Sequence, residues 1–124
     1  MEVASGDPGR VAERSQRLRE ALAALDEVRF AYLHGSAAEG LAYRDLDVAL
    51  YLDPAHPAAG DSFDYEMDLS VDLTRRLTFP VDVRVLNRAP LGFQQAVTTG
   101  VILVVRDEEE LFGYIERVAM ERMD

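Results

Sequence analysis

The sequence predicts an α/β domain of the α+β kind, a mixed sheet of about four strands packed with helices. Three observations predict it. Four apolar runs of strand length recur, at Val28–Leu33, Asp45–Leu52, Val81–Leu86 and Val101–Val105. The first two are joined by a short polar segment, which favours an antiparallel pair. The later ones are separated by stretches with helical apolar spacing, which calls for at least one parallel crossover. The length, 124 residues, suits one hydrophobic core rather than two.

Taken in order, residues 1–8 read as a flexible leader and residues 9–124 as one domain. From Gly9 to about Leu25 the apolar positions Val11, Leu18, Leu22 and Leu25 fall on one side of a helix, with Arg and Glu opposite. Val28–Leu33 is the first strand, ended by His34-Gly35-Ser36. Ser36 is a good N-cap for a short turn over Ala37–Glu39, and Gly40 a good terminator. In the second strand Leu46, Val48, Leu50 and Leu52 share one face; Asp45, Asp47, Ala49 and Tyr51 share the other. A Pro- and Ala-rich loop follows, in which His56 reads as plain surface.

Asp61 or Ser62 then caps a helix to about Leu77. Its broad apolar set, Phe63, Met67, Leu69, Val71, Leu73 and Leu77, predicts a well-buried element. Its acidic series, Asp61, Asp64, Glu66, Asp68 and Asp72, predicts a solvated face able to dock a basic partner. The third strand has Val81, Val83 and Val85 on one side and Asp82, Arg84 and Leu86 on the other. Pro90 opens and Gly100 closes a short helix over Leu91–Thr99. Val101–Val105 is apolar on both faces, which predicts a covered strand. Asp107 caps the last helix, whose first-turn glutamates complement the helix dipole.

Composition narrows the function. The net charge is −10, and no basic stripe exists to displace counterions, so long nucleic acid is not the expected partner. A nucleotide remains compatible, because a divalent cation reverses the local field. No apolar run approaches a membrane span of roughly 20 residues, and the first residues lack a signal-peptide order. With no cysteine there is no disulfide or thiolate metal site. These features predict a cytoplasmic protein.

Asp45 and Asp47 need a reason. Aspartate is depleted in strands, and a charge against a core is costly unless paired or bound to metal. On one strand face the two lie about 7 Å apart. They could be a solvated strand face; Asp82 could equally pair with Arg84, two residues on. The alternative is a magnesium site beside a phosphate-binding turn. Magnesium takes hard oxygen ligands and keeps several waters, so two or three carboxylates suffice. Two such ions about 4 Å apart can hold the attacking and leaving oxygens of a phosphoryl-group displacement. Gly35 lets backbone approach phosphate oxygens, and Ser36 offers a hydroxyl and an N–H at a helix start.

Gly35-Ser36, a spacer containing Gly40, then Asp45-Leu-Asp47 and a downstream Val-Asp82-Val resemble the DNA polymerase β-type nucleotidyltransferases. More narrowly the chain, from about residue 9 to 120, is similar to the minimal nucleotidyltransferases (MNT), which are little more than the catalytic core. That resemblance implies a polymerase β-type core using ATP or another NTP with Mg²⁺. Gly35 and Ser36 would hold the triphosphate. Asp45, Asp47 and Asp82 would be the metal-binding and catalytic residues of a two-metal site. It further implies a HEPN-type small helical protein as partner, with the MNT chain as antitoxin transferring AMP to a hydroxyl of that toxin.

Two departures from the family pattern stand out. Glu39 occupies the place of a common arginine, and the spacer from Ser36 to Asp45 is shorter than usual, with Arg44 before the first aspartate. They keep open an alternative, a nucleotide-binding antitoxin with weak or no turnover that neutralises its partner by direct binding. A small hydroxylated acceptor would call for a homodimer, since so short a chain lacks room for a second pocket. His34 reads as a packed or hydrogen-bonded strand-end residue rather than a catalytic base, and Tyr43 as either a nucleotide lid or surface packing.

Overall fold

The computed structural model describes residues 8–121. A 3₁₀ turn, Pro8–Arg10, leads into α1 (Val11–Ala23), β1 (Val28–His34) and β2 (Leu46–Leu52). A second 3₁₀ turn, Pro57–Ala59, precedes α2 (Phe63–Leu77), β3 (Val81–Val85), α3 (Leu91–Val97), β4 (Val101–Val105) and α4 (Glu108–Met120). Apart from Pro8, the expected leader over residues 1–8 lies outside the described residues, as does the end of the expected domain at 122–124.

The four strands form one mixed sheet in the order β3-β2-β1-β4. β1 is antiparallel to both β2 and β4, and β2 is parallel to β3, with α2 as the crossover. Period-two alternation gives each strand two faces and the sheet two cores. One face packs Leu33, Val48, Leu50 and Val83 against Leu18 and Leu22 of α1 and Leu73 of α2. The other packs Phe30, Tyr32 and Ala49 with Val97 of α3 and Leu111, Tyr114 and Val118 of α4. Each fully buried large apolar side chain contributes about 1.5–3 kcal/mol over its exposed state. Asp107 caps α4 as its sequence suggests, its carboxylate accepting from Glu109 N–H at 2.9 Å.

Several expectations need correction. β2 starts at Leu46, whose N–H donates to Pro80 O at 2.9 Å and opens the parallel pairing; Asp45 sits in the bend before it. α1 and α3 each stop two residues early, at Ala23 and Val97. β4 is covered on both faces only over its second half: Leu103 and Val104 are buried, but it is an edge strand, and Val101 and Ile102 are each 40% exposed. His56 is not plain surface, because its Nδ1 accepts from Ala58 N–H at 3.1 Å and its ring packs edge-on against Tyr65. Tyr43 is buried, with its hydroxyl accepting from Arg14 at 2.8 Å and its ring against Phe79, so it is core rather than lid.

α2 departs most from expectation. Leu73 and Leu77 are buried, but Phe63, Met67 and Val71 are 66%, 52% and 51% exposed. The broad apolar set therefore divides into one covered stripe and one uncovered stripe. Between the two lies a third row, Glu66, Ser70 and Thr74, four residues apart and thus on one face. Their side-chain oxygens accept from the N–H groups of Val85 at 2.7 Å, Val83 at 2.9 Å and Val81 at 2.9 Å. These are the outward N–H groups of edge strand β3, so α2 closes that edge. Glu66, expected on a solvated face, belongs to this row.

Candidate active site

The segment after β1 is shaped by two left-handed glycines, Gly35 and Gly40, both at φ +75°. At Gly40 the turn closes as a helix terminus does. Leu41 N–H donates to Ser36 O at 3.0 Å and Gly40 N–H to Ala37 O at 3.3 Å. Ala37 is buried and anchors the turn, while Gly35, Ser36 and Glu39 face outward. The expected turn is therefore present and ends at Gly40 as expected, while its bonds run through backbone rather than the Ser36 hydroxyl. Gly35 is fixed for a second reason. A Cβ at that position would collide with Asp47 Oδ2, so the backbone lies directly against the carboxylate.

Strand register places the charged residues. His34 pairs with Asp47 across β1 and β2, and Asp47 with Asp82 across β2 and β3. Three titratable residues thus stand side by side on the sheet face that carries Tyr32 and Ala49. Asp45, in the bend, stands close enough to Asp47 for its charge to act on that carboxyl. Burial first, then the neighbouring charges of Asp45 and Asp82, push the Asp47 carboxyl up to about 6. Burial lowers the pKa of His34, partly offset by Asp82. Its Nε2 is buried without a hydrogen-bond partner, and its ring packs edge-on to Phe93 at 5.4 Å. His34 is thus packed, as expected. Its place beside Asp47 was not foreseen, although its parity with Tyr32 on β1 carries that signal.

Asp82 is the outlier of the three aspartates. Its Oδ2 lies 3.6 Å from Arg84 Nε, so the same-face pairing weighed from the sequence is present. Among the described residues no three His, Asp or Glu side chains gather as a group able to hold a metal ion. The structure brings Asp45 and Asp47 together and aligns Asp82 with them in register, its carboxylate paired with Arg84. The donors nevertheless suit a hard cation. Asp45 and Asp47 stand close together against the Gly35 backbone, and among the described residues neither forms a salt bridge, an arrangement a divalent ion would relieve.

Two depressions flank this row without covering Asp45 or Asp47. A cleft of about 470 Å³ is walled by Phe63, Glu66, Arg84, Arg88, Pro90 and Phe93. A groove of about 340 Å³ runs along the β3 edge and has Asp82 in its wall. Sequence reasoning did not single out Arg88 or Phe93; their proximity to the row depends on how α3 packs.

Residues 16–109 match the family model described as polymerase beta, nucleotidyltransferase. The chain belongs to this nucleotidyltransferase family. No match was found among curated protein sequences. Solved structures of the same fold include a tri-AMPylated Shewanella oneidensis HEPN toxin in complex with MNT antitoxin. A chain of it aligns with a TM-score of 0.70 at 18% identity over 88% of this chain and 83% of that one. The toxin–antitoxin complex MntA–HepT aligns with a TM-score of 0.68 at 16% identity, covering 87% and 83%. A toxin–antitoxin with AMP-PNP aligns with a TM-score of 0.68 at 18% identity, covering 86% and 83%. Among the described residues, no helix is long and apolar enough to cross a membrane.

Proposed function

We propose that this chain is the MNT antitoxin of a HEPN/MNT pair and transfers AMP from ATP to a hydroxyl of its HEPN partner. The observation that carries the reading is the Gly35 backbone pressed on the Asp47 carboxylate, with the charge of Asp45 beside it. That pairing lies within the matched residues of a nucleotidyltransferase family and on the fold of MNT–HEPN complexes. Asp45 and Asp47 would hold Mg²⁺, with Asp82 as the third carboxylate, and the ion would neutralise charge on the phosphates.

Gly35 and Ser36 present exposed backbone to the triphosphate at a turn start. The hydroxyl oxygen bonds to the α-phosphorus as the bond from that phosphorus to the bridging oxygen breaks. Pyrophosphate leaves, and Asp82, on the acceptor side, takes the hydroxyl proton. Asp47 is largely ionised at neutral pH despite its raised pKa, so it is available to a cation.

A second reading is favoured by one observation, the Asp82–Arg84 contact. If Arg84 keeps Asp82 from the site, the chain binds nucleotide and silences its partner by covering it. The deciding experiment incubates the chain with its proposed HEPN-domain partner, labelled ATP and Mg²⁺. Transfer labels the partner, and Asp45→Asn and Asp47→Asn each abolish the label. Unchanged labelling in both variants would remove the metal assignment. Neutralisation of the partner without labelling would establish the second reading.

A further inference from the structure

α2 presents Phe63, Met67 and Val71 to solvent at successive four-residue steps, each more than half exposed. Such a stripe on one helix face is a contiguous apolar surface, not scattered exposure. It borders the groove along the β3 edge, whose wall combines Phe63, Glu66, Met67, Ser70, Asp82 and Arg84. Asp82 therefore belongs both to the row of candidate site residues and to this groove. A side chain lying in the groove reaches the site without crossing the fold.

The chemistry of the occupant follows from the rim. On the helix, Asp64 and Asp68 stand on the outer side of the apolar stripe, both exposed, beside Phe63 and Met67; Arg75 flanks only its far end, at Val71. The whole chain carries a net charge of −10. A second copy would set these aspartates against their equivalents, which opposes self-association. A basic partner is attracted instead. Strand addition is closed off, because the outward N–H groups of Val81, Val83 and Val85 are already bonded to Thr74, Ser70 and Glu66. Binding must therefore proceed through side chains.

We infer that the Phe63–Met67–Val71 stripe and the adjoining β3 groove dock a basic, apolar-anchored segment of the acceptor protein, delivering its hydroxyl beside Asp82. This inference rests on the transfer reading for the hydroxyl and on the surface alone for docking.

The test uses the full chain and the proposed HEPN-domain partner, with binding measured by calorimetry and transfer by labelling. Met67→Lys and Val71→Lys, both at exposed positions, should weaken partner binding at least about tenfold. Labelling should fall with it through KM, while Phe112→Lys on α4 changes neither. Raising NaCl should weaken wild-type binding. Asp45→Asn/Asp47→Asn should lose labelling and keep binding. Binding that depends on Met67, without any transfer by the wild type, supports the docking surface and overturns the transfer reading. Binding and labelling unchanged by both lysine variants overturn the docking surface and leave transfer standing. A wild-type chain that does not bind the partner, or whose Met67 patch mediates self-association in sedimentation, also overturns it.

Discussion

The Gly35–Asp47 corner and the Asp82–Arg84 strip sit on neighbouring strands of one sheet, yet they are built in opposite ways. In the corner, backbone and carboxylate are in contact, Gly35 is left-handed, and Asp47 is half-buried with its pKa raised. On the strip, Asp82 and Arg84 are about half exposed and joined by a 3.6 Å ion pair. The corner is fixed by sterics and desolvation; the strip is held by an interaction that solvent screens. The first kind of construction keeps its geometry as salt and solvent change; the second gives way to a new partner at small cost.

The largest break in this contrast is expected from Gly35→Ala. The left-handed backbone costs a non-glycine residue roughly 1–2 kcal/mol, and the new Cβ displaces Asp47 as well. Misplacing a site by about 1 Å can cost on the order of 100-fold in rate. Urea denaturation and the labelling assay should show both losses. A variant with wild-type labelling would mean that the close approach is not needed.

An intermediate effect is expected from pH. The folded state holds the Asp47 proton up to about 6, against 3.8 for the unfolded chain. Between those values the folded state binds more protons, so stability falls as pH rises through the window. Above it the penalty is constant. Asp47→Asn cannot ionise and should lack this fall. Denaturation midpoints of the two proteins should therefore diverge as pH rises from about 4 to about 6, in favour of the asparagine variant. Parallel curves would assign the raised pKa to something other than the native environment.

The smallest effect belongs to the strip. Arg84→Gln breaks an exposed pair worth at most about 1 kcal/mol. Thermal melts should barely move. Labelling should not fall, since Asp82 is released rather than removed. A tenfold fall would place Arg84 in contact with the nucleotide or acceptor.

The same contrast explains what could be read from the sequence. Strands alternating apolar and polar residues, as in Leu46–Leu52 and Val81–Val85, announce themselves, because a sheet with a core must alternate. Asp107 and Gly40 were legible because helix termini demand particular side chains or backbone. What depends on pairing was less so. The alignment of His34, Asp47 and Asp82 needs the register of three strands. The division of the α2 apolar set needs to know which neighbours exist: Leu73 and Met67 are equally apolar, yet only one meets the sheet. Tyr43 looked like a turn residue, since nothing local shows that Arg14 and Phe79 converge on it.

The row of Thr74, Ser70 and Glu66 has a consequence for assembly. A sheet with two open edges can grow without limit, each copy offering a free strand to the next. Here the β3 edge is already occupied by the chain's own helix. Any pairing of copies through β4 would bring like edges together around a two-fold axis and end there. The fold admits a closed pair of sheets and excludes a filament that grows by successive strand addition.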